Sequence, residues 1–155
     1  MPQTDMVAMT EAHKEFIAIG VRKELQKEIG HKFHQKGPAY TLLLDGAPIA
    51  AGGFYCDPNG LFGEEIRLWC ISTDLCSGRK LSFVRSAKKL INVAFTFFQV
   101  PSLIAYAFWD YSRTTKLMGL LGFTETHTSQ WERIKTVRYE LRREQCLTQQ
   151  HNYLA

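Results

Sequence analysis

Apolar and charged positions first fall into a helical rhythm between Thr10 and Ile29, where Phe16, Ile17, Ile19, Val21, Leu25 and Ile29 recur among lysines and glutamates. Thr10 is a natural N-cap and Gly30 a natural stop. Gly20, inside the pattern, costs up to about 1 kcal/mol against alanine and admits a break into two shorter helices. Residues 31–38 then predict a loop, with His31 and His34 solvated and no third metal ligand in view. Apolar runs over 40–44 and 49–55 read as strands, and Asp45-Gly46-Ala47-Pro48 between them is the best hairpin signal in the chain. Gly52-Gly53 within the second run suggests a bulge or a close backbone approach. The turn Asp57-Pro58-Asn59-Gly60 feeds a buried strand over 64–71, completing an antiparallel meander.

A small-residue turn, Ser72 to Gly78, follows that strand and opens a long basic amphipathic helix over 79–98. Val84, Ala87, Ile91, Ala94, Phe95 and Phe98 make its inner face; Arg79, Ser82, Ser86, Lys89 and Thr96 make the outer one. Pro101 ends the segment, and residues 103–109 are apolar nearly throughout, as in a strand buried on both faces. Strand, helix and strand form a βαβ unit, so residues 68–71 and 105–108 should be adjacent, parallel and right-handed in their crossover, diverging toward their C-terminal ends. A helix over 112–121 capped by Ser112 stops at Gly122-Phe123, and two strands follow, 123–127 and 135–142. In the last, Val137, Tyr139 and Leu141 alternate with Arg138, Glu140 and Arg142, a half-buried edge pattern open to pairing between subunits. Residues 1–143 read as a single domain and the polar, aperiodic residues 144–155 as a flexible tail.

Composition narrows the chemistry. A chain of 155 residues with 45% hydrophobic content can bury about 68–70% of its unfolded surface without staples. A formal charge of +4 suits a phosphorylated small molecule or an acidic partner surface and does not demand nucleic acid. Cys56, Cys70, Cys76 and Cys146 have neither CxxC nor zinc spacing and read as reduced thiols of a cytoplasmic protein, with no metal; Cys70, in a core strand, is expected to be buried. No segment has the length or continuity of a membrane span or a signal peptide. The chemistry concentrates at the strand–turn–helix: unpaired N–H groups and the dipole at a helix start favour an anion, worth about 0.3–1 kcal/mol, and Arg79 and Lys80 would supply much of the rest.

The element order from residue 10 to residue 142 resembles the GNAT acyltransferases, N-acetyltransferases related to histone acetylases. The most specific piece is Tyr111-Ser112-Arg113-Thr114-Thr115-Lys116-Leu117-Met118-Gly119-Leu120-Leu121-Gly122-Phe123, similar to the family's helix that closes on Leu-Gly-Phe. The resemblance implies an α/β (α+β) fold with a mixed, mostly antiparallel sheet whose central fourth and fifth strands are parallel and flanked by helices. It implies transfer of an acetyl group from acetyl-CoA (or CoA as product) to a primary amine of a small molecule or protein. The family's Arg/Gln-x-x-Gly-x-Gly/Ala pyrophosphate loop maps to residues 74–80. The cofactor would then touch Leu68, Cys70, Ile71, Ser77, Gly78, Arg79, Lys80 and Tyr111. Glu64 or Glu65 would fill the place of a frequent general base on the fourth strand.

The sequence also departs from that family. Only Gly78 remains of the loop's glycines, Tyr111 stands where an asparagine often opens the helix, and the tyrosine commonly proposed to protonate the CoA thiolate aligns with Met118, which has no proton to give. A narrower resemblance is to small phage-encoded GNAT-like proteins, some associated with virions. The alternative function is therefore a catalytically degenerate GNAT-fold protein that binds a virion or host protein partner, located in the virion or host cytoplasm.

Overall fold

In the computed structural model of the protein, which describes residues 3–20, 36–60, 62–76, 78–108, 112–131 and 134–146, the hairpin turn is tighter than its sequence signal. Asp45 and Gly46 alone connect β2 (Ala39–Leu44) to β3 (Ala47–Gly60), with φ of 48° and 84° and Leu44 opposite Ala47. Positive φ at both central residues gives the twist a two-residue turn needs, and Asp-Gly tolerates it. Ala47 and Pro48 therefore belong to the strand. Pro48 has no N–H to give, and the register slips beside it: Leu42 pairs with Ala50 and Leu43 with Pro48, so Ile49 is the extra residue of a bulge. At Gly52-Gly53 the second of the two expectations holds, a close approach. A Cβ on Gly53 would lie 2.6 Å from the Pro38 carbonyl oxygen and 2.8 Å from Trp69 Nε1.

β1 (Thr4–Ala8), which the hydropathy pattern does not announce, pairs antiparallel with β2. α1 (Glu11–Gly20) starts at the expected cap: His13 N donates to Thr10 Oγ1 and Thr10 N donates to His13 Nδ1, both at 3.2 Å. This is a capping box with histidine in the place of glutamate. The helix expected over 21–29 and the loop with His31 and His34 lie outside the described residues. β3 continues to Gly60, so the turn expected at 57–60 is strand instead, and β4 (Gly63–Ser72) follows.

A 3-10 turn at Asp74–Cys76 leads into α2 (Lys80–Phe97) and then β5 (Ser102–Phe108). β4 and β5 are parallel, with Arg67 opposite Ile104 and Leu68 opposite Ala105. α3 (Ser112–Leu120) closes with Phe123 N donating to Met118 O and Gly122 N to Gly119 O, the paired bonds of a Schellman end. β6 (Thr124–Trp131) and β7 (Ile134–Arg142) complete a seven-stranded sheet of order β1-β2-β3-β4-β5-β7-β6. The sheet is mixed and mostly antiparallel around the parallel β4/β5 pair. The last strand is not an edge: β7 pairs with β5 on one side and β6 on the other, and of the polar half of its alternation Arg138 is buried, Glu140 half-buried and Arg142 exposed.

The chain groups into two compact units, Met1–Cys56 with Trp69–Leu90, and Asp57–Leu68 with Ile91–Ala155. The first is cored by Ile17, Ala51, Trp69 and Ile71, and by Leu42, Ile49, Ala50 and Cys76 with Phe83 against them. The second buries Ile91, Ala94 and Phe95 of α2 and Leu103, Val137 and Leu141 of the strands. There Arg143 donates to the carbonyls of Phe95 (2.7 Å), Phe98 (2.9 Å) and Val100 (3.0 Å), capping α2 from outside the helix. Residues 143–146 form a helical turn; the rest of the expected tail lies outside the described residues. Among the described residues no helix is long and apolar enough to cross a membrane, and no group of three or more His, Cys, Asp or Glu is placed to hold a metal ion.

Candidate functional site

In the first unit, the start of α2 is built by successive backbone bonds. Cys76 N donates to Thr73 O (3.1 Å), Arg79 N to Cys76 O (2.9 Å) and Phe83 N to Arg79 O (3.0 Å). Arg79 is thus the N-cap, and its N–H is already committed. The N–H groups that the helix geometry leaves for an anion are those of Lys80, Leu81 and Ser82, whereas the resemblance points to those of Ser77 to Lys80, so the two sets share Lys80. Gly78 is exposed, and a Cβ on it would meet no protein atom within 4 Å. Lys80 is exposed and Arg79 half-buried. The donor set, an open backbone approach at Gly78, a free first turn and two cations, fits a diphosphate group in part.

The second unit carries a polar face. Successive strand side chains point to opposite faces, and register places Glu65 and Arg67 of β4, Tyr106 of β5 and Arg138 of β7 on the same one. Glu65, whose side chain is 4% exposed, is the hub. Its Oε1 accepts from Arg138 Nε (3.2 Å) and Nη2 (3.0 Å); its Oε2 accepts from the Tyr106 hydroxyl (3.1 Å) and lies 3.4 Å from Arg67 Nε. Arg67 also pairs with Asp57 at 3.0 Å and lies over the Tyr106 ring, while Arg138 donates to Thr126 Oγ1 at 2.8 Å and lies over the Phe62 ring. Burial first, and then the Glu65 carboxylate, push the Tyr106 phenol above its usual pKa, so it stays a donor. A cavity of about 270 Å³ opens beside this hub, with Phe62, Glu64, Ser102 and Glu140 among its walls.

The expected site residues therefore divide. Glu64 is exposed on the cavity wall, whereas Glu65, on the same wall, is buried and already partnered by two arginines and a tyrosine. Leu68 is half-buried; Ile71 is packed in the core cluster of Ile17 and Trp69, so its side chain has no surface to offer a cofactor. The expected burial of Cys70 is corrected: it is exposed, beside an apolar cleft with Phe83 and Leu90. The buried thiol is Cys76, whose pKa desolvation pushes up to about 12. Ser86, expected on the outer face of α2, lines that same cleft. Ser77 and Tyr111 lie outside the described residues. Met118 is buried. Arg67, Tyr106 and Arg138 were not among the expected site residues. The local signal of the two arginines is a charge inside an apolar alternation, which reads equally well as a solvent-facing side chain, and Tyr106 lies in an apolar run without any.

No family model matches the sequence, and no curated protein sequence matches it either. Solved structures do match its fold. The aminoglycoside acetyltransferase AAC(6')-Ib in complex with coenzyme A matches with a TM-score of 0.74 and 12% identity, covering 96% of this chain and 99% of that one. A mutant of the spermidine N-acetyltransferase SpeG from Vibrio cholerae matches with a TM-score of 0.68 and 10% identity, covering 96% of this chain and 98% of that one. At such identities the likeness is one of fold, and that fold is the GNAT acetyltransferase fold.

Proposed function

We propose that the chain is an acyl-CoA-dependent N-acyltransferase, with acetyl-CoA or CoA held at the start of α2 and a primary amine as acceptor. The observation that supports it most is the exposed first turn of α2, with Arg79 and Lys80 beside it, at the end of β4 in a GNAT fold. Acetyl-CoA supplies, when bound, the thioester whose acyl group the amine takes over. Lys80, Leu81 and Ser82 direct N–H groups at the diphosphate, Gly78 lets it approach, and the Arg79 and Lys80 side chains add charge. The helix end contributes about 0.3–1 kcal/mol per charge and each charge-assisted bond about 1.5–3 kcal/mol. The sum suits binding between about micromolar and millimolar, or −4 to −8 kcal/mol. Calorimetry with CoA, with desulfo-CoA and pantetheine as controls, tests this directly. No heat and no thermal stabilisation at millimolar CoA defeats the reading.

Of the two glutamates, Glu64 is the better candidate for the base that takes the amine's proton, because its carboxylate is exposed while that of Glu65 is already accepting at both oxygens. Glu65 then positions the polar face. Glu64→Gln should lower turnover by about 10²–10⁴-fold with stability nearly unchanged. Turnover within a few-fold of wild type excludes Glu64. A second reading, a protein that keeps the fold to bind CoA or a virion or host partner without turnover, is favoured by the full pairing of the Glu65 carboxylate and by Met118, which has no proton to give. CoA binding with no acyl transfer to any amine tested would select it.

A further inference from the structure

The carbonyl of Ile49 receives three donors from one short segment: Thr73 Oγ1 at 2.8 Å, Thr73 N at 3.0 Å and Cys76 Sγ at 3.4 Å. A carbonyl oxygen has two lone pairs, so the backbone N–H and the hydroxyl fill them and the thiol is a weak third. Ile49 is also the extra residue of the bulge beside Pro48, a place where the strand bends and its backbone leaves the regular ladder. From that carbonyl the bonds run onward without a gap. Thr73 O accepts from Cys76 N, Cys76 O from Arg79 N, and Arg79 O from Phe83 N in the first turn of α2. Thr73 is buried, and so is Cys76, whose thiol stays protonated and able to donate.

We infer that Thr73 is a positioning residue for the anion-binding end of α2, acting through the Ile49 carbonyl at the β3 bulge. The inference deepens the CoA reading above and rests on it for its ligand. The physical reason is directional. An N-cap holds the first turn only as well as the cap is itself held, and Arg79 is a poor capping side chain with no short oxygen to fold back on the helix. The aim of the Lys80–Ser82 N–H groups is therefore set from behind, by a two-point attachment of Thr73 to a carbonyl fixed in the sheet. One point, the Thr73 N–H, survives any substitution except proline. The other, the hydroxyl, can be removed by itself.

The test uses the full chain as wild type, Thr73→Ser, Thr73→Cys and Thr73→Val, with two readouts. Amide hydrogen exchange without ligand follows Cys76, Arg79 and Phe83, with α1 amides as the internal reference; calorimetry follows CoA. Thr73→Val should speed exchange at the three amides by about tenfold, leave α1 unchanged and weaken CoA by about tenfold. Thr73→Ser should stay within about twofold of wild type in both, and Thr73→Cys should fall between, which keeps the series decisive if the valine variant does not fold. Faster exchange with unchanged CoA affinity would make Thr73 merely structural and overturn the inference. Unchanged exchange would overturn it as well. If wild type binds no CoA, the CoA reading fails on its own, and the exchange series still decides whether Thr73 holds the helix start.

Discussion

The start of α2 and the Glu65 hub are both charged, and they are charged in opposite ways. At the helix start the cations Arg79 and Lys80 lie near solvent beside backbone donors, with no carboxylate ion-paired to them among the described residues. At the hub, Glu65 and Asp57 balance Arg67 and Arg138 charge for charge, with Glu65 and Arg138 buried and Arg67 and Asp57 partly so. An uncompensated charge near solvent costs little to keep and is available to a ligand. A buried, balanced set is costly to disturb and has little left to offer one. Charge by itself is therefore a poor guide to function; the useful question is whether its partners are already present.

The sharpest way to break that contrast is at the hub. Arg138→Met leaves Glu65 buried with one strong partner fewer, and should lower the unfolding free energy by about 3–5 kcal/mol in urea titrations. Adding Glu65→Leu should recover most of the loss, because the orphaned charge and not the missing contact carries the cost. A double variant as unstable as the single one would mean that packing, not charge balance, holds this face. At the helix start the same kind of change should act on the ligand instead. Arg79→Gln or Lys80→Gln should weaken CoA binding by about tenfold, less at high salt, and move stability by no more than about 0.5 kcal/mol.

The smallest effect at neutral pH grows with alkalinity. Burial raises the Cys76 thiol from its usual 9.0 to about 12, so its folded form resists ionisation. The contribution is fully present below pH 9 and is lost as pH rises toward 12. Tyr106, raised above its usual value by burial and by Glu65, adds a loss of the same sign at higher pH. Urea midpoints measured from pH 8 to 11 should fall, and Cys76→Ala should flatten the early part of the slope. An equally steep fall in that variant would assign it elsewhere.

Local features were the legible ones. The Asp45-Gly46 turn, the Thr10 cap and the Leu-Gly-Phe end of α3 each depend on residues a few positions apart, where propensity acts directly, and the β4–α2–β5 crossover was read from the periodicity within each of its segments. β1 was missed because five residues of mixed polarity carry no period of their own and become a strand only against β2. The hub was missed for the same reason at longer range. Glu65 and Arg138 are 73 positions apart, and nothing beside either one names the other. The edge reading of β7 failed on topology, since alternation cannot tell a solvent-facing arginine from one that faces a buried carboxylate.

Arg143 has a consequence for the order in which the protein folds. The carbonyls at the end of α2 wait for a guanidinium supplied 43 to 48 positions later. Closing so long a loop costs entropy before any bond rewards it. The helix can nucleate early from its own periodicity, but its last turn is secured only once the chain has returned through β7. Substitutions at Arg143 should therefore speed unfolding more than they slow folding, as stopped-flow kinetics in urea would read.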